Sequence, residues 1–153
     1  VTLSDLPLGR RTYLDANLYI YIFEGIPQHR RLMAGLVAEI DRRDITVIAS
    51  ELTLVEILPR PVRDGRRQLV ASYLELLQRT PRITLAPVDR GVMERAVHLR
   101  AHLRLRSRDA LHLATALVHG CSTFLTNDER LGAPDEIRLV TLRELAATMP
   151  DQG

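Results

Sequence analysis

Asp15, Glu56, Asp109 and Asp128 are the residues of this chain whose type and order suit a cation. Asp15 follows the apolar run Tyr13-Leu14 and Asp128 closely follows Phe124-Leu125, both of which read as strands, whereas Glu56 and Asp109 lie in stretches with helical periodicity. A single Asp at a strand end is ordinarily a turn former or a helix cap. Four acids in these contexts suit Mg²⁺ or Mn²⁺, hard ions that prefer carboxylate and water oxygens. Without an ion such a group would repel itself, so the chemistry it predicts is that of a divalent-metal site able to polarise a bound water.

The elements that must position these acids alternate along the chain. Strands are predicted at Thr12 to Leu14, Ile45 to Ala49, Ile83 to Ala86, Thr123 to Leu125 and Ile137 to Val140. Helices are predicted from Leu18 to Gly25, over 28–43, from Glu51 to Leu58, over 63–78, over 90–103, over 107–119 and over 142–149. Ser50 is the expected N-cap of the third helix, and Pro59 and Pro61 its expected end. Strands separated by helices imply βαβ crossovers and a mostly parallel sheet covered on both faces, so the fold class is α/β. Ligands of such sheets bind beyond the carboxyl ends of the strands, where Asp15 and Asp128 fall.

The chain has 153 residues, 46% hydrophobic and 26% charged, values that suit one folded domain over 1–153 with its core at about 12–145. No apolar run approaches the ~18 residues of a membrane span, and no secretory signal pattern is visible, so a cytoplasmic address is expected. Cys121 is the only cysteine, which excludes an internal disulfide and a cysteine-based zinc site. The net charge of +2 is too small to identify a nucleic-acid binder by itself. Every basic residue other than histidine is Arg, a planar fork that matches phosphate oxygens, although codon bias produces the same composition.

The run Ser107-Arg108-Asp109-Ala110-Leu111-His112-Leu113-Ala114-Thr115-Ala116, followed by Phe124-Leu125-Thr126-Asn127-Asp128, resembles the carboxy-terminal half of the PIN-domain family, particularly the VapC-type toxins of bacterial toxin–antitoxin pairs. Tyr13-Leu14-Asp15-Ala16-Asn17-Leu18 resembles the family's first motif, and Ser50-Glu51-Leu52-Thr53-Leu54-Val55-Glu56 its second. The resemblance spans about Thr12 to Leu145. It implies a three-layer sandwich with a parallel central sheet of strand order 3-2-1-4-5, which sets the strands carrying Asp15 and Asp128 side by side. It implies a metal-dependent endoribonuclease whose acidic site is Asp15, Glu56, Asp109 and Asp128, supported by Asn17 and Thr126. Asp15, Asp109 and Asp128 are the expected ligands of Mg²⁺ or Mn²⁺, and Glu56 aligns the attacking water or completes a second metal position. Products with 5′-phosphate and 3′-hydroxyl ends, a homodimer and a small VapB-type antitoxin that blocks the pocket, often with an Arg, are implied as well. Glu51 is the rival for the Glu role, but its place at a helix start favours Glu56.

Other signals are weaker. His98 and His102 have the i, i+4 spacing of zinc-binding helices without a third ligand, and read as a solvent-facing pair. His112, one turn after Asp109, could orient that acid or contact RNA, and partial burial as a satisfied helix histidine is the preferred reading. Of the arginines, Arg106, Arg108 and Arg130 flank the acidic motifs and are the better candidates for RNA contact, ahead of the cluster Arg60, Arg63, Arg66 and Arg67. Two Phe, four Tyr and no Trp exclude a broad base-stacking platform, and Phe23 reads as core.

Three other functions compete with that of a toxin nuclease. A housekeeping RNA-processing nuclease shares the chemistry but needs no antitoxin. An aspartyl-phosphate phosphatase with Asp15 as nucleophile wants a second Asp where Asn17 stands, and a Lys that this chain lacks. A catalytically silent interaction module has no use for four intact acids.

Overall fold

The computed structural model describes residues 6–148. Its β-branched and apolar runs form five strands, β1 (Arg11–Leu14), β2 (Thr46–Ser50), β3 (Ile83–Ala86), β4 (Thr123–Thr126) and β5 (Arg138–Thr141). The helices are α1 (Ala16–Glu24), α2 (Arg30–Arg42), α3 (Leu52–Ile57), α4 (Pro59–Arg63), α5 (Arg67–Arg79), α6 (Arg90–Leu103), α7 (Ser107–Val118) and α8 (Leu142–Thr148). All strand pairs are parallel, in the order β3-β2-β1-β4-β5. This is the sheet expected from the sequence. Strand β1 is therefore central, pairing Tyr13 with Ile48 on one side and with Phe124 on the other.

Alternation along the strands sends side chains to two apolar layers. Leu14, Val47, Ala49, Leu125 and Val140 pack with Leu18 and Tyr19 of α1, Met33 and Leu36 of α2, Tyr73 and Leu77 of α5, and Leu145 of α8. Tyr13, Ile48, Ala86 and Phe124 point the other way, onto Val92, Ala96 and Leu99 of α6 and Ala110, Leu113 and Ala114 of α7. The small residues of α7 let that helix lie close to the middle of the sheet. Phe23 is only partly buried and packs against the first layer, its ring 4.9 Å from that of Tyr73.

Several boundaries differ from expectation for identifiable reasons. Pro59 does not end helical structure but begins α4, since a proline at the first helical position gives up only an amide that has no acceptor there. The next helix starts at Arg67 rather than near Arg63, because Gly65 turns the chain with φ +68°. Ser50 is the last residue of β2, and its Oγ accepts from the Leu52 amide at 3.1 Å. The segment predicted as one helix over 28–43 is a 3-10 turn, Pro27–His29, followed by α2. Met149, the expected end of the last helix, and Asp151 to Gly153, an expected frayed tail, lie outside the described residues. No helix among the described residues is long and apolar enough to cross a membrane.

Candidate active site

Asp15 stands immediately beyond β1. Its amide continues the ladder to Leu125 at 2.9 Å, and its extended backbone lets the side chain cap α1, Oδ1 accepting from the Ala16 amide at 2.8 Å. This cap explains why an acid sits at that junction even without chemistry. Its other oxygen, Oδ2, accepts from Thr126 Oγ1 at 2.9 Å across the β1–β4 seam. Thr126 is fully buried, and the same hydroxyl accepts from the Asp128 amide at 3.0 Å.

Three of the four predicted acids meet on one arginine. Arg108 Nη2 lies 3.2 Å from Asp15 Oδ1 and 2.7 Å from Glu56 Oε2, its Nε donates to that same Glu56 oxygen at 2.9 Å, and Nη1 donates to Asp109 Oδ1 at 2.9 Å. The three carboxylates come from the start of α1, from α3 and from the first turn of α7. Asp128 does not join them. It is exposed, its Oδ1 accepts from the Arg130 amide at 2.9 Å, and it connects to the cluster only through its backbone bond to Thr126.

The supporting and basic candidates divide in the same way. Asn17 faces solvent in the first turn of α1, whereas Thr126 grips Asp15. Arg106 and Arg130 are exposed, but Arg108 is committed to carboxylates rather than held ready for a phosphate. Glu51 is exposed ahead of α3, and Glu56, one helical turn further on, faces the cluster. His98 and His102 are both exposed, their rings stacked with centroids 6.5 Å apart.

His112 is the residue whose role the sequence misplaced. It is fully buried rather than partly so, and it orients Glu56 rather than Asp109, with Nε2 2.6 Å from Glu56 Oε1. Its Nδ1 bonds the Tyr13 hydroxyl, which also accepts from the Ser50 amide at 3.2 Å. An ionised Glu56 can only accept, so the Nε2 hydrogen of His112 is donated to Oε1. Burial first, then the nearby Tyr19 and Asp15, raise the Tyr13 phenol well above its ordinary pKa, so it stays protonated. A Tyr–His–Glu–Arg chain therefore runs from the centre of the sheet to the acidic cluster. No local pattern announces Tyr13 as a member; it shares a motif with Asp15 only because β1 alternates.

Electrostatics follow from these contacts. Burial alone would raise the Glu56 carboxyl, but the hydrogen bond and charge of His112 and the Arg108 guanidinium outweigh it and hold the group below the usual carboxylate range. Burial opposes the charge on Arg108, while Asp15 and Glu56 more than restore it. The donors are hard oxygens, the kind Mg²⁺ and Mn²⁺ take. As placed, no three carboxylate or imidazole groups among the described residues close around one point, because the oxygens are arranged around the guanidinium.

Away from the acids, an apolar groove of about 1100 Å³ is lined by Tyr19, Tyr21, Ile22, Met33, Val37 and Leu76, among others. The hydroxyl of Tyr19, one of the lining residues, is buried without a hydrogen-bond partner.

The family model of the PIN domain matches residues 12–137. Similar solved structures include a toxin–antitoxin complex from Klebsiella pneumoniae, with 21% identity, a TM-score of 0.64, and coverage of 86% of this chain and 97% of that one. VapBC2 from Rickettsia felis bound to a DNA fragment from their promoter shows 15% identity, a TM-score of 0.65, and coverage of 86% and 98%. FitAcB from Neisseria gonorrhoeae shows 20% identity, a TM-score of 0.54, and coverage of 76% and 87%. No curated protein sequence matches the chain.

Proposed function

The chain belongs to the PIN domain family, a family of nucleases, and from that premise we propose that it is a divalent-metal-dependent endoribonuclease acting as the toxin of a toxin–antitoxin pair. The observation that carries this reading is the convergence of Asp15, Glu56 and Asp109 on a single cation beside the carboxyl ends of β1 and β4. A cluster that binds one guanidinium through three carboxylates has the charge and the donor atoms for Mg²⁺ or Mn²⁺. Asp15 and Asp109 would hold the ion, and Asp128 would join them by turning its exposed side chain inward from the Thr126 hinge.

When bound, the ion would neutralise the pocket and lower the pKa of a water beside the phosphodiester. The chain's own residues would do the rest. Thr126 and the Ala16 amide fix both Asp15 oxygens, so this acid needs little reorganisation to act. Glu56, oriented by His112, accepts hydrogen bonds and is suited to align the attacking water and take its proton. Attack by water rather than by the ribose 2′-hydroxyl would leave 5′-phosphate and 3′-hydroxyl ends. Exposed Arg106 and Arg130 would guide the backbone phosphates.

The toxin role, a VapB-type antitoxin partner, a homodimer and a cytoplasmic address belong to the same proposal. The toxin–antitoxin complexes of similar fold support it, and the apolar groove beside Tyr19 offers a partner's apolar segment a place to lie. The test is cleavage of total RNA by purified protein with Mg²⁺ or Mn²⁺, with a chelator, and by Asp15→Asn and Asp109→Asn. Cleavage that needs the ion and disappears in both folded variants is expected. Wild-type rates in either variant would remove the assignment.

A further inference from the structure

Arg108 makes more charged contacts than any other arginine among the described residues, and all of its partners belong to the candidate site. It uses Nε, Nη1 and Nη2 together, and the oxygens it holds are Asp15 Oδ1, Glu56 Oε2 and Asp109 Oδ1. Two acids of this set, Asp15 and Asp109, are the ones the nuclease reading assigns to the ion. A guanidinium seated among these oxygens repels a divalent ion brought to the same point, and every hydrogen bond it keeps leaves those carboxylates fewer free lone pairs for the ion.

We propose that Arg108 is a built-in counter-cation: it neutralises the acids in the metal-free protein, competes with the divalent ion for their oxygens, and is released to solvent and to a substrate phosphate when the ion enters. The proposal rests on the nuclease reading and adds to it an internal competitor. Charge explains why such a residue is useful. Three neighbouring carboxylates repel one another, and one guanidinium offsets part of that repulsion while leaving a net negative site for a doubly charged ion. Exposure explains how it leaves. The Arg108 side chain is 40% exposed, whereas Asp15 is 7% and Asp109 16% exposed, so the arginine can turn outward while the acids remain in place. Asp15 is independently fixed by Thr126 and Ala16, and Glu56 by His112, so neither needs Arg108 to keep its position. Planar forks of this kind bind phosphate as well as carboxylate. Release would therefore place a phosphate ligand next to Asp109 once the ion is present.

The deciding experiment is calorimetric titration of Mn²⁺ into wild type and into R108Q, with circular dichroism to establish folding. R108Q is expected to bind Mn²⁺ at least about tenfold more tightly, and to gain more in melting temperature on adding the ion than wild type does. Equal or weaker affinity in folded R108Q would overturn the competition. If R108Q does not fold, magnetic resonance of the wild type decides the matter: the Nε–H resonance of Arg108, assigned by its loss in R108K, should shift and exchange faster with water when Mg²⁺ is added. A resonance unchanged at saturating Mg²⁺ would overturn the release. Should neither wild type nor R108Q bind Mn²⁺, the nuclease reading fails together with this proposal; equal binding by both removes this proposal only.

Discussion

Replacing Tyr13 by Phe removes one oxygen atom from the middle of the sheet and tests whether the buried chain from Ser50 to Glu56 is a working support. The ring itself should stay, since it is stacked on Phe124 with centroids 4.8 Å apart and is fully buried, so no cavity forms beyond the lost hydroxyl. Two partners lose their bond, the Ser50 amide and His112 Nδ1, and both are buried. An unsatisfied buried group costs about 1–3 kcal/mol; the 3.2 Å bond from Ser50 lies at the weak end, so the sum expected is about 2–3 kcal/mol. With a urea slope of about 2 kcal/mol per molar, that moves the unfolding midpoint down by about 1 M without changing the slope. Equilibrium unfolding followed by circular dichroism measures this directly. A second reading comes from pairing the change with His112→Ala. Both single variants break the same hydrogen bond, so the double variant should fall short of their sum by about 1 kcal/mol or more. A midpoint shift below about 0.3 M, or strict additivity in the pair, would refute the idea that Tyr13 holds His112 in register with Glu56.

Thr126→Val keeps the shape of a fully buried side chain but removes the donor to Asp15 and the acceptor for the Asp128 amide; a loss of about 1–2 kcal/mol in thermal unfolding and a slower RNA cleavage rate are expected. Glu56 contributes stability that is fully present above its unfolded pKa of about 4.3 and is lost as pH falls through its lower folded value, because the folded state depresses this carboxyl. The acid limb of the stability–pH curve should therefore be shallower in Glu56→Gln than in wild type, and superimposable limbs would contradict the assignment. Arg43 donates to the carbonyls of Leu6 at 2.9 Å and Leu8 at 2.6 Å; Arg43→Ala should loosen that segment and make trypsin cut at Arg10 or Arg11 faster, while an unchanged digestion rate would show that other contacts hold it.

The parts of this molecule legible in the sequence are those that depend on local pattern. Ile83 to Ala86 and Arg90 to Leu103 fall where the periodicity predicts, and the order of strands follows from the resemblance carried by the motifs around Asp15 and Asp109. Local pattern also picks out the acids, but it does not say what faces them. Arg108 reads as a candidate for RNA contact beside an acidic motif; only the tertiary approach of Glu56 turns it inward onto a carboxylate. His112 was visible as a neighbour of Asp109 one turn away, yet its direction is set by tertiary contacts with Tyr13 and Glu56, residues far off in the chain. Asp128 shows the converse. Its position at a strand end is ordinary for the site, but the short Asx turn to Arg130 draws its side chain outward, a competition between local and distant partners that sequence spacing does not resolve.

The seam between β1 and β4 joins residues 111 positions apart in the chain, pairing Thr12 with Thr123 and tying Asp15 to Thr126. A ribosome making this protein must therefore pass Thr126 before Asp15 can gain its partner across the seam. A nascent chain that stops short of β4 leaves the edge of β1 open and Asp15 Oδ2 without its donor, so the acid gains its fixed orientation only after synthesis has moved on by more than a hundred residues.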